Sequence, residues 1–173
     1  MARYVLDDFQ DYLSEEDMDV IRDFINNTLN NIRTDYALVV KGLSRTGKTS
    51  LINVILDLIG NDKYDSISPS RKVPIKMDLN KRCTVIRVDD VQTEEINKNI
   101  ISGFIKENLN FNDSVYRKTG LYGPIVLFNG NDTRIEGTPW SNIIFCCYDM
   151  SFVDLDDNGL MRRLKIVNMG HRF

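Results

Sequence analysis

The apolar residues Val20, Ile21, Phe24, Ile25, Leu29 and Ile32 recur at the three- and four-residue spacing of one helical face. They predict an amphipathic helix of about 18 residues, opened by Ser14 with Asp17 in a capping-box arrangement and closed near Asn30 and Asn31. A different pattern then takes over: short, nearly continuous apolar runs, the first at Tyr36 to Val40, then TVIRVDD at 84–90, PIVLFNGND at 124–132, NIIFCCYDM at 142–150 and a strand-like segment after Arg163. Runs of this length without alternation are those of strands buried on both faces. Helical spacing returns between them, from Lys48 to about Ile59, closed by Gly60 and Asn61, and from about Thr93 to Asn108 with Ile96, Ile100, Ile101, Phe104 and Ile105 on one face. Residues 62–80, which hold Pro69 and Pro74, read as loops around a short strand near Val73 to Lys76. SVYRKTGLYG at 114–123 reads as a β-hairpin with Arg117 and Lys118 near its tip. Strands alternating with helices predict an α/β fold, a parallel five-stranded sheet between helices. The division expected is an N-terminal helical segment over 1–33 and one domain over 34–173.

The first strand runs directly into GLSRTGKT at 42–49, which fits the phosphate-loop pattern GxxxxGK[ST] and opens the next helix. Gly42 and Gly47 let the backbone turn and approach a polyphosphate, so that successive N–H groups face its oxygens. The binding stretch is Gly42, Leu43, Ser44, Arg45, Thr46, Gly47, Lys48, Thr49 and Ser50. Lys48 reaches the β- and γ-phosphates of ATP, and the Thr49 hydroxyl is placed to ligate Mg²⁺.

Two further strand ends carry polar groups. Asp89 and Asp90 stand where a buried parallel strand would present acids beside the loop, Asp89 to hold Mg²⁺ and Asp90 to orient or deprotonate the attacking water. Asn129 and Asn131 end a later run, where an uncharged group can hold that water without cancelling the lysine's charge. The same letters also fit a plain Asn-Gly turn. Arg162 and Arg163 lie before the last strand-like segment, where a guanidinium can reach a phosphate.

Composition narrows the setting. At 173 residues the chain suits one buried α/β core, and 42% hydrophobic with 27% charged residues is globular usage. No apolar run is long enough for a transmembrane helix, and the first ten residues lack a signal peptide's apolar segment, so a reducing interior, cytoplasmic or nuclear, is expected and secretion is not. Cys83, Cys146 and Cys147 show no CxxC spacing and read as core residues. The net charge of −3 argues against coating nucleic acid by bulk electrostatics. Seven acids and one base fall in the first 20 residues, so the remainder is basic and a local cluster is still available for such a contact.

The ordered set of phosphate loop, DD strand, VYRKTG hairpin, apolar strand ending in Asn, and RR near the C-terminus resembles the superfamily 3 helicases, AAA+-related (ASCE-type) P-loop NTPases of small viruses, phages and plasmids. The resemblance spans about residues 34–170 and is nearest to the helicase portion of circular single-stranded DNA virus initiators. It implies that Lys48, Thr49, Asp89 and Asp90 form the first two motifs. Lys118, beside Arg117, would contact single-stranded DNA or RNA in the pore of a ring. Asn131 would take the third motif, with NGN in place of the usual TSN and Asn129 as its rival. Arg162 or Arg163 would be an arginine finger acting on the neighbouring subunit, in a homo-oligomer that is typically hexameric. ATP-driven translocation or unwinding during replication follows from it. Such initiators usually carry a nuclease or primase domain ahead of the motor, so the expectation is either a stand-alone motor or one to which a separate initiator, nuclease or primase supplies that part. The rival readings are a phage DNA-packaging or DNA-loading ATPase, a small-molecule kinase, and a nucleotide-gated assembly protein.

Overall fold

A computed structural model of the chain describes residues 4–32, 34–67, 85–89, 142–151 and 153–170. The short strand expected near 73–76, the helix over 93–108, the hairpin at 114–123 and the strand at 124–132 lie outside these residues. So do Cys83, Asp90, Arg117, Lys118, Asn129, Asn131 and His171.

Helix α1 (Glu15–Leu29) starts as its sequence demands: the Ser14 Oγ accepts a 3.0 Å hydrogen bond from the Asp17 N–H. Such a cap contributes about 1 kcal/mol, and Glu15, Glu16 and Asp17 in the first turn complement the helix dipole. The buried stripe is Met18, Ile21, Phe24, Ile25 and Thr28. It differs from the expected face at its C-terminal end, where Leu29 and Ile32 are exposed and Thr28 takes the inward position. A hydroxyl is tolerated there because it donates to the Phe24 carbonyl at 2.7 Å and accepts from Asn142 Nδ2 at 3.0 Å.

The five strands β1 (Ala37–Gly42), β2 (Tyr64–Ile67), β3 (Val85–Val88), β4 (Asn142–Cys147) and β5 (Leu164–Met169) form one parallel sheet in the order β2-β3-β4-β1-β5. Strand β2 falls inside a stretch whose sequence reads as loop. It is a four-residue strand at the edge of the sheet, paired only to β3 among the described residues, and YDSI carries no apolar run. Helix α2 (Lys48–Ile59) and α1 pack together on one face. That core takes alternate strand residues: Leu38 and Val40, Val85, Ile144, Val167 and Met169. Ala37, Val39, Ile143, Phe145 and Cys147 of the two central strands are buried on the opposite face, which is why those runs do not alternate. The chain's own sheet therefore receives α1.

At the amino ends of the strands, Asn142 ties these layers together. It is fully buried; its Nδ2 donates to Thr28 Oγ1 and to the Ile32 carbonyl at 3.1 Å, while its Oδ1 accepts from the Thr34 N–H at 2.9 Å. Tyr36, just before β1, donates its hydroxyl to Asp23 Oδ2 at 2.6 Å and carries Lys165 Nζ 4.0 Å above its ring. Burial, with Asp23 adding to it, pushes that phenol above its ordinary value. A four-residue helix, α3 (Asn158–Met161), precedes β5. Asp157 caps it, accepting from the Leu160 N–H at 3.0 Å, so this acid serves the fold. None of the described helices is long and apolar enough to cross a membrane.

Candidate nucleotide site

Because β1 is central and parallel to its neighbours, its carboxyl end opens at the edge of the sheet, where α/β folds bind ligands. The segment Leu43–Gly47 turns there into α2. Thr46, buried, donates its hydroxyl to the Leu43 carbonyl at 2.8 Å and closes the turn. Arg45 sits at φ 64° and Gly47 at φ 87°, two left-handed residues that let the chain double back. Gly42 is required for a different reason. A Cβ on it would lie 2.7 Å from the Met169 carbonyl oxygen of β5 and 2.8 Å from Thr46 Oγ1, so this glycine answers to the close approach of the neighbouring strand.

Gly47 is the N-cap of α2, and no side chain caps that helix. The N–H groups of its first turn, which have no partner within the helix, therefore face the loop, with the positive end of the helix dipole behind them. Lys48 Nζ donates to the carbonyls of Gly42 and Leu43, each at 2.6 Å. The ammonium is thus held over the concave side of the loop by two backbone acceptors that a polyphosphate can replace. Leu43, Ser44, Arg45 and Thr49 are exposed around it. A glycine-lined turn, open helix N–H groups and a lysine at the mouth fit a nucleotide polyphosphate.

The second element arrives by register. Val88 of β3 pairs with Phe145 of β4, which pairs with Val39 of β1, so Asp89 leaves β3 at the same edge as the loop. One strand separates them, a span of about 10 Å at ordinary strand spacing. Arg87 precedes Asp89 on the face that carries Val85 and α2. Its Nη1 donates to Asn53 Oδ1 at 2.9 Å, and its Nε lies 2.9 and 2.8 Å from the two oxygens of Asp89. Asn53 is one helical turn from Thr49, and Arg87 is two strand residues from Asp89, rises of about 6 and 6.6 Å. Since α2 runs away from the loop while β3 runs toward this edge, the contact of Asn53 with Arg87 brings Thr49 and Asp89 to one level. A hydroxyl and a carboxylate there suit a hard divalent cation.

Strand β4 fills the place between loop strand and acid strand, and its carboxyl end leads into Tyr148 and Asp149, residues the sequence did not single out. Burial pushes the Cys147 thiol up to about 12, with Cys146 and Asp149 acting in the same direction and Lys41 and Lys48 opposing it. This thiol therefore lies within electrostatic range of the loop lysine, neutral and donating weakly to the Val40 carbonyl at 3.9 Å. Asp149 is held below its usual value by the Ser151 hydroxyl and N–H.

Arg162 and Arg163 are at the other end. Leu164 pairs with Ala37 and Met169 with Gly42, so the arginines precede β5 about 16–20 Å along the strands from the loop. They do not join the chain's own phosphate loop. Arg162 is exposed, whereas the Arg163 guanidinium donates to the Gly159 carbonyl.

No protein-family model and no curated protein sequence matches the chain. Solved structures do. An apo form of the C-terminal region of NrS-1 superposes with a TM-score of 0.62 at 15% identity, over 94% of this chain and 37% of that one. A second apo form of the region gives 0.61 at 15% identity. The Thermotoga maritima RuvB Holliday junction branch migration motor superposes with a TM-score of 0.51 at 12% identity, over 98% of this chain and 48% of that one. The chain has the P-loop NTPase fold. It spans less than half the length of the structures it matches, and at these identities the likeness concerns the fold.

Proposed function

We propose that the chain is an ATP-hydrolysing motor of the superfamily 3 helicase type, which translocates on or unwinds nucleic acid as an oligomeric ring. The observation that carries this reading is the register that brings the Lys48 loop and Asp89 to one sheet edge while leaving Arg162 and Arg163 at the other. An active site built this way has its lysine and acid in one subunit, and its arginine has to come from a neighbour. The fold shared with a branch migration motor is compatible with this class of activity.

In this reading the loop N–H groups and Lys48 hold the phosphates of ATP, Lys48 exchanging its two backbone carbonyls for phosphate oxygens. Thr49 and Asp89 are the residues that would hold Mg²⁺, whose charge offsets that of the β- and γ-phosphates when bound. Asp90 orients the attacking water and takes its proton. Asn129 or Asn131 holds that water, with Asp149 now a further polar residue at the same edge. Arg162 of the neighbouring subunit stabilises the charge that develops on the transferring phosphoryl group; it is preferred to Arg163, whose guanidinium is engaged by Gly159. Lys118 and Arg117 contact single-stranded DNA or RNA.

The test is ATPase turnover with and without single-stranded DNA or RNA, beside Lys48→Ala and Lys118→Ala. Lys48→Ala should lose turnover on the order of 10²-fold or more. Lys118→Ala should keep basal turnover and lose its stimulation by the strand. Turnover indifferent to nucleic acid and to protein concentration would refute the ring translocase, and phosphoryl transfer to a small acceptor would establish a kinase instead.

A further inference from the structure

An arginine inside the strand that delivers the acid is unexpected there, because a cation beside a metal-holding carboxylate competes with the metal. Arg87 is nonetheless only 13% exposed at its side chain. Its Nε lies within 2.9 Å of both oxygens of Asp89, and its other arm is fixed by Asn53 of α2. We propose that Arg87 is a positioning residue that holds Asp89 in the absence of a cation and sets how much Mg²⁺ is needed to engage the site. This rests on the proposed role of Asp89 in holding the metal that accompanies ATP.

The geometry gives Arg87 two effects of opposite sign. Anchored on α2, the guanidinium fixes the carboxylate at the level of Thr49, so Asp89 does not need to be ordered when the cation arrives. At the same time it neutralises Asp89 and occupies both of its oxygens, so a divalent ion would have to displace it from the carboxylate. The pair is part-buried, so its charges are only partly screened and the charge effect outweighs the ordering effect. The cation therefore engages only with the extra negative charge of a bound triphosphate, and free Mg²⁺ is not retained by the empty loop. Bound this way, the metal comes and goes with the nucleotide.

The experiment measures binding of a fluorescent ATP analogue as Mg²⁺ is titrated, and again in EDTA. Arg87→Met, which keeps the bulk and removes the charge, should lower the half-saturating Mg²⁺ concentration on the order of tenfold or more, while affinity in EDTA is no higher than the parent's because the freed carboxylate faces the metal-free polyanion. Arg87→Lys, which keeps the charge but not the fork between Asp89 and Asn53, should fall between the parent and Arg87→Met. In an Asp89→Asn background, Arg87→Met should no longer shift the Mg²⁺ requirement. An unchanged or increased requirement in Arg87→Met, or the same shift in the Asp89→Asn background, overturns the assignment. If Arg87→Met does not fold, Arg87→Gln carries the same expectation while keeping a hydrogen-bonding group for Asn53. A parent protein that binds no nucleotide overturns the metal role of Asp89 and this inference with it; a parent that binds, with Arg87→Met unshifted, overturns only Arg87.

Discussion

Replacing Asn142 by Leu removes a side chain of β4 that reaches α1, Ile32 and Thr34, and its cost can be worked group by group. Thr28 Oγ1 loses a donor but keeps its own acceptor, the Phe24 carbonyl, and Thr34 Oγ1 keeps the Tyr36 carbonyl at 2.7 Å. Two groups lose the partner found here: the Thr34 N–H and the Ile32 carbonyl. The Thr34 N–H is buried and costs about 1–3 kcal/mol when unsatisfied, whereas Ile32 is exposed and its carbonyl can turn to water. Leucine shares the branching of asparagine but is bulkier and adds about 1 kcal/mol of crowding, so the expected loss is about 2–4 kcal/mol. Equilibrium urea unfolding should show it as a lower midpoint at unchanged slope. The perturbed end of the sheet is remote from the phosphate loop, so nucleotide affinity measured well below the Tm should not move. A loss under about 0.5 kcal/mol would refute the network as a clamp. A loss of affinity in the fully folded variant would refute the separation of the two sheet ends.

Gly42→Ala forces a Cβ against the Met169 carbonyl oxygen, which belongs to backbone and cannot step aside. Overpacking of this kind should cost about 1–3 kcal/mol in thermal or urea unfolding even without nucleotide, whereas a glycine needed only for phosphate approach would leave stability untouched. Tyr36 has a folded-state value raised above 10.0, chiefly by burial, so the protein favours the neutral phenol. Its stability contribution is complete below pH 10 and is lost as pH rises through the folded value; Tyr36→Phe should flatten that alkaline decline in a pH series of unfolding midpoints, and an unchanged decline would refute the linkage.

The parts legible in the sequence are those whose cause is local. Ser14 with Asp17 announces the start of α1, and GLSRTGKT between a buried run and a helical pattern announces the loop, because cap, glycine and lysine act within a few residues of one another. The errors lie where the cause is distant. Thr28 replaces Leu29 and Ile32 in the core because Asn142, over a hundred residues on, supplies its partner. Arg87 passes as one polar letter in an apolar run until Asn53 of α2 and Asp89 are seen around it. Strand β2 is invisible because an edge strand of four residues draws its order from β3 rather than from its own pattern. The arginine pair is given a role in the sequence by resemblance and not by position; it takes the register of β5 on β1 to place them a strand's length from the loop.

That separation makes the central claim testable by mixing. Lys48→Ala and Arg162→Ala, each inactive alone, should regain part of the parent turnover when combined at concentrations that assemble the ring, because some interfaces then pair an intact loop with an intact arginine. No recovery in the mixture, with parent turnover per subunit independent of protein concentration, would contradict a site shared between subunits.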